Sequence, residues 1–125
     1  NFNLLRNQLK IRKVKKEDIS FIYNLRNDRL TRLSSLNNKK ISFKNHKIWF
    51  LKNWNSFFYI FIVKNKSAGY VKLKKDNNIF LLNYALHNHF RGKKYSQKMI
   101  LLLISKLEKQ FKNIHIKAVV KKKKY

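Results

Sequence analysis

His87-Asn88-His89-Phe90-Arg91-Gly92-Lys93-Lys94-Tyr95-Ser96 is the stretch on which the reading of the chain turns. Ile79 to Leu86, just before it, reads as an apolar strand. Residues 94 to 111, after it, carry Met99, Leu102, Leu103, Leu107 and Phe111 on one helical face, widened by Ile100, Leu101 and Ile104. A strand, a basic Gly-containing turn and a helix start, in that order, build an anion-binding corner. The first amides of a helix have no partner inside it, and the macrodipole adds about half a positive charge there. Arg91, Lys93 and Lys94 bring mobile positive charge to the same point, so a phosphate-bearing ligand is the expected guest.

Outward from this corner the rest of the chain falls into place. Leu9 to Val14 alternates apolar and basic residues, the pattern of a half-buried strand. Glu17 and Asp18 suit a helix N-terminus, and Ile19, Ile22, Tyr23 and Leu25 follow at helical spacing as far as Asn27-Asp28. Arg29 to Lys40 reads as a loop or a short helical piece. Ser42 can cap a second helix, in which Phe43, His46, Trp49, Phe50 and Trp54 recur at steps of three and four. Phe57 to Val63 is a buried strand, Asn65 to Ser67 a turn, Gly69 to Lys74 a strand and Lys75 to Asn78 a further turn. Ile114, Ile116, Ala118 and Val120 alternate as a last strand. The order β-α-α-β-β-β-α-β implies an α/β fold on one mixed sheet, with an antiparallel meander and one parallel crossover.

The bulk numbers bound the function. With 125 residues, 44% hydrophobic and 14% aromatic, one domain with a real core is expected. There is no Cys, which excludes disulfides and thiolate metal sites. The four His show no metal-ligand spacing to acidic residues, so no metal is expected. No apolar run approaches the roughly 20 residues of a membrane span, and no secretory leader is evident, so a cytoplasmic protein is expected. Net charge is +26, with Glu17, Asp18, Asp28, Asp76 and Glu108 the only acids. That balance suits nucleic acid, an anionic membrane surface or a phosphorylated ligand. An A/T-rich genome, favouring Lys, Asn, Ile, Phe and Tyr, would produce it too.

Arg91-Gly92-Lys93-Lys94-Tyr95-Ser96 resembles the acetyl-CoA motif of the GNAT family of N-acetyltransferases. That motif runs Arg or Gln, two free positions, Gly, one free position, then Gly or Ala. Arg91 matches, Lys94 stands where the family prefers Gly, and Ser96 is small. Leu25 to Asp28 and Ile41 to Phe50, with His46-x-x-Trp49, look like one branch of the family. It contains nucleotide-amino-sugar acetyltransferases, such as the pseudaminic acid pathway enzyme, and ribosomal-protein alanine acetyltransferases. Phe61-Ile62-Val63 and Gly69-Tyr70-Val71 look like the family's second and third strands, and Ala118-Val119-Val120 like the start of its fifth. The resemblance covers about residues 9 to 120. It implies an acyl-CoA N-acyltransferase fold in one domain, 1–125, incomplete at its C-terminus because a further helix and two strands would follow the fifth strand.

The resemblance also implies the chemistry. Acetyl-CoA would be the cofactor, its pyrophosphate on the amides of Arg91, Gly92, Lys93, Lys94, Tyr95 and Ser96. Its pantetheine arm would pair with Tyr84, Ala85 and Leu86, and an amide near Ala85 or Leu86 would meet the oxyanion. Arg26, Asn27, His46 and Trp49 would contact the acceptor. The family often places a Glu on the fourth strand, where this chain has Leu81-Leu82-Asn83. His46 is then the candidate base, beside its readings as an acceptor contact or an ordinary helix position. Arg26 and Asn27 read equally as a helix-end cap, Trp49 also as core, His87 and His89 as turn residues, and His115 as an outward strand residue. The expected activity is acetyl transfer to a primary amine, most specifically of a nucleotide-linked amino sugar. A protein N-terminal acetyltransferase and an inactive basic nucleic-acid-binding module are the alternatives, and a homodimer is compatible with each.

Overall fold

The computed structural model describes residues 8–34, 39–77, 79–110 and 115–118. Its five strands lie in sequence order across one sheet. β1 (Leu9–Lys13), β2 (Phe58–Val63), β3 (Lys66–Asp76) and β4 (Ile79–Leu86) are antiparallel neighbours, and β5 (His115–Ala118) runs parallel to β4. The helices are α1 (Ile19–Asn27), α2 (Arg29–Ser34), α3 (Phe43–Asn53) and α4 (Tyr95–Gln110). The parallel pair needs a crossover, and α4 supplies it.

The two faces of the sheet carry separate cores. α4 buries Met99, Leu103 and Leu107 against Tyr59, Phe61, Val71, Leu73, Phe80 and Leu82. α1 and α3 bury Ile22, Leu25 and Phe50 against Phe58, Ile60, Tyr70 and Ala85 on the other face. A strand covered on both sides loses its polar alternation, which is why β2 reads Phe58-Tyr59-Ile60-Phe61-Ile62-Val63. Each such buried side chain contributes about 1.5–3 kcal/mol.

The ends of the first half are fixed by polar contacts. Arg12 makes a two-pronged ion pair to Asp18 at 2.8 and 2.9 Å, and the Lys15 amide donates to the same carboxylate at 2.7 Å. Burial opposes ionisation of Asp18, but these donors outweigh it and hold the carboxyl below the usual range. Ser42 caps α3 as expected, accepting from the Asn45 amide at 3.1 Å.

Three expectations need correction. The β2–β3 turn is Lys64-Asn65, not Asn65 to Ser67: Val63 pairs with Lys66, and both turn residues have positive φ, +50° and +65°. That is the backbone of a two-residue hairpin loop whose twist suits the strands. β3 runs on to Asp76, which pairs with Ile79, so the expected turn from Lys75 shrinks as well. Leu101 is 66% exposed rather than part of the buried face of α4. Arg29 to Ser34, left open between loop and helix, is α2. The expectations for Phe111, Ile114, the His115 side chain, Val119 and Val120 lie outside the described residues.

Candidate functional site

The corner between β4 and α4 is built as a turn under conformational control. A single 3-10 turn, Asn88–Phe90, follows β4, and Phe90 is buried edge-on to Tyr95 at 5.7 Å. Tyr95 also packs against Phe61, so the start of α4 is anchored to the sheet by aromatic contacts. Gly92 has φ +73°, which glycine adopts freely. Lys94 has φ +63°, a left-handed conformation costly to any residue with a Cβ. It is the position at which the GNAT motif has Gly. Lys93 and Lys94 are exposed at the helix start.

Arg91 departs from its expected role as mobile positive charge. Its amide donates to the Asn88 carbonyl at 3.2 Å. Its guanidinium reaches back to α1 and α2, donating to Asp28 at 2.5 Å and to the Thr31 hydroxyl at 3.1 Å. The reason is charge compensation: Asp28 lies within reach of an otherwise basic loop. Burial opposes ionisation of Asp28, yet Arg91 and the Thr31 amide together hold its carboxyl below the usual range.

Tyr84, Ala85 and Leu86 form the end of β4. The His87 amide donates to the Ala68 carbonyl at 2.7 Å, which fixes the ladder. Counting in twos along the register, the Ala85 backbone faces β3, and those of Tyr84 and Leu86 face the β5 side. The β4–β5 register runs from Ile79 and His115 to Leu82 and Ala118, so Tyr84 and Leu86 lie past the last described pair. Gly69 lies opposite Leu86, and a Cβ there would fall 2.4 Å from the Ala85 carbonyl oxygen. The close approach of β3 to this segment therefore requires glycine.

Arg26, His46 and Trp49 come together on the α1–α3 side. The Arg26 guanidinium lies 3.8 Å from the Trp49 ring centroid and donates to His46 Nδ1 at 3.1 Å. His46 is 0% exposed, and its Nε2 lies 2.9 Å from the Ile19 carbonyl. Both nitrogens are thus engaged if Nε2 carries the proton, the tautomer this arrangement dictates. Burial, and then the charge of Arg26, push the His46 pKa down, against the pull of the Ile19 carbonyl. Asn27 is not part of this group. Its side-chain amide donates to the Ile41 carbonyl at 2.8 Å and accepts from the Ile41 amide at 2.7 Å, tying the start of the α3 segment to α1.

The sequence reading missed the sheet face beside this cluster. Tyr70 is buried there, its hydroxyl pushed up to about 12 by burial, with the Arg26 charge pulling the other way. By strand alternation Lys72 and Lys74 share that face with Tyr70, opposite Asn83 and Leu81 of β4. Lys72 is lowered by burial and then by the charge of Lys74. No described carboxylate pairs with Lys72, Lys74 or Arg26. The signal was the alternation Tyr70-x-Lys72-x-Lys74 itself, two lysines on the face whose third member is core. Among the described residues no group of His, Asp and Glu could hold a metal, and no helix is long and apolar enough to cross a membrane.

A Gly-containing basic loop between β4 and the start of α4, and the order of strands in the sheet, define an acyltransferase fold. The sequence profile of the acetyltransferase (GNAT) family matches residues 19–122, and the chain belongs to that family, which makes it a transferase. No curated protein matches it by sequence. Among solved structures, a GNAT acetyltransferase from Bacillus anthracis superposes with TM-score 0.75 at 16% identity, over 89% of this chain and 69% of that one. Spermidine N-acetyltransferase from Vibrio cholerae, in complex with CoA and spermine, gives 0.72 at 20% identity over 90% and 70%. The yncA protein of Salmonella typhimurium, with its cofactor acetyl-CoA, gives 0.64 at 15% over 81% and 64%. The chain thus spans about two thirds of the length of these structures.

Proposed function

We propose that the chain is an acetyl-CoA-dependent N-acetyltransferase whose acceptor is a small primary amine carrying negative charge, most specifically an amino sugar linked to a nucleotide. The observation that carries the choice of acceptor is the face made by Arg26, Tyr70, Lys72 and Lys74, which has no described carboxylate partner. A polyamine, the kind of ligand in the Vibrio cholerae neighbour, would be repelled there. A doubly anionic diphosphate would be attracted.

In this reading the pyrophosphate of acetyl-CoA rests on the amides from Gly92 to Ser96, with Lys93 and Lys94 beside it. The pantetheine arm adds along the side of β4 where Tyr84 and Leu86 present backbone groups. Leu86 is the better oxyanion donor, because the Ala85 amide faces β3. The amine nitrogen would attack as the neutral form; as its bond to the acetyl carbon formed and the C–S bond broke, the proton lost from the nitrogen would pass, directly or through water, to the departing thiolate, so that CoA leaves as the thiol. Neighbouring cations lower the pKa of the bound amine, so the lysines do part of what a base would do. His46 then positions Arg26 rather than moving protons, since both its nitrogens are engaged. Arg26 and Trp49 remain acceptor contacts in this scheme, and Asn27 shapes the segment that carries them.

Calorimetric titration with acetyl-CoA, with ATP as control anion, is the first test. Micromolar binding selective over ATP supports the cofactor site; equal, weak binding of both rejects it. Acetylation of nucleotide amino sugars but not of spermidine or an N-terminal peptide is the expected acceptor profile. The reverse profile would overturn the acceptor assignment.

A further inference from the structure

We propose that Arg91 is a positioning residue, not a phosphate ligand: its ion pair to Asp28 straps the cofactor loop to the α1–α2 junction and holds Gly92 to Ser96 in their anion-receiving shape. The inference deepens the cofactor site proposed above and rests on that reading for its ligand, not for its geometry.

Three observations converge. The guanidinium is spent on Asp28 and Thr31, 63 and 60 residues away in sequence, and not on the turn that it opens. The strapped segment is one that needs holding, because two of its next three residues, Gly92 and Lys94, have positive φ. The anchor is itself rigid: Asp28 also accepts from the Thr31 amide at 3.1 Å as the cap of α2, and adjacent Asn27 is fastened to Ile41 on both sides of its amide. Consecutive residues therefore tie the cofactor loop and the start of α3 to one point at the end of α1.

The two roles of Arg91 predict opposite signs for Asp28→Asn. If Arg91 were a phosphate ligand, removing the carboxylate would free it and delete a negative charge near the anion, so acetyl-CoA would bind more tightly. If Arg91 is a strap, Asp28→Asn weakens binding. Asn caps a helix as well as Asp does, so the substitution isolates the ion pair from the capping of α2.

The experiment measures amide hydrogen exchange of the free protein and acetyl-CoA affinity for Arg91→Ala, Asp28→Asn and the double variant. Expected are faster exchange at the amides from Gly92 to Ser96 in all three, with the central β2 and β3 amides unchanged. Acetyl-CoA affinity falls roughly tenfold in each, and the double variant is no worse than either single one, the signature of one shared interaction. Unchanged exchange in Asp28→Asn, or tighter acetyl-CoA binding, would overturn the strap. If the wild-type chain binds no acetyl-CoA, the cofactor reading fails, and the exchange data still decide the strap. Should Arg91→Ala fail to fold, Asp28→Asn and Thr31→Val carry the same comparison.

Discussion

Lys94 keeps a left-handed backbone that its side chain opposes. Nothing around it demands lysine, since it is exposed at the tip of the corner. Lys94→Gly removes a Cβ conflict worth about 1–2 kcal/mol and adds an unfolded-state entropy penalty of about 0.5–1 kcal/mol. A net stabilisation of up to about 1.5 kcal/mol is expected in urea unfolding. His46 gives a prediction of its own. Its native pKa is depressed, first by burial, so the unfolded chain takes up a proton before the native one does. His46 thus contributes stability that is complete above the unfolded value of about 6.5 and is lost as pH falls from there through the native pKa. Thermal unfolding between pH 7 and 5 should show a falling midpoint, with a slope of at most about 1.4 kcal/mol per pH unit from this group. His46→Gln should remove that slope. Asp18 and Asp28 act in the same direction but only near and below their unfolded value of about 3.9, outside this window.

At the level of the elements, the β3–β4 contact sets the cofactor side of the sheet. Gly69→Ala would drive a methyl group into the Ala85 carbonyl and the Leu86 side chain. We expect about 1–3 kcal/mol of destabilisation from overpacking, and acetyl-CoA binding weakened beyond what partial unfolding explains, because the displaced backbone is that of Ala85-Leu86. Circular dichroism melts beside calorimetry separate the two effects. Most of this layer was legible in the chain: the α1 and α3 periodicity, the Ser42 cap and the bounds of β4 follow from local pattern. The far end of β3 was not, because Lys75 and Asp76 are poor strand formers and pairing with Phe80 and Ile79 keeps them extended. The site divides in the same way. The Gly92 corner and the Arg26, His46 and Trp49 group announce themselves by motif and spacing. The Arg91 to Asp28 pair joins residues 63 apart, and no local pattern could place it. Lys72 was hidden because a strand lysine reads as solvated until the neighbouring face is known to be covered.

The whole molecule carries +26, and among the described residues only Arg12–Asp18 and Arg91–Asp28 are ion pairs. A compact body with that charge repels itself, so screening should stabilise it. Raising ionic strength from about 0.01 M to about 1 M shortens the Debye length from about 30 Å to about 3 Å. The melting temperature is expected to rise across that range, opposite to the behaviour of a fold held together by surface ion pairs. The same series discriminates between partners. A ligand held only by diffuse positive charge, such as nucleic acid, loses affinity along a steep line in log salt. A cofactor held by amides at a helix start and by strand-like pairing along β4 draws on contacts that salt does not screen. Acetyl-CoA affinity should therefore fall far less than ATP or single-stranded RNA affinity between about 0.05 M and 0.2 M salt. Parallel collapse of all three would mean that the charge, and not the corner between β4 and α4, does the binding.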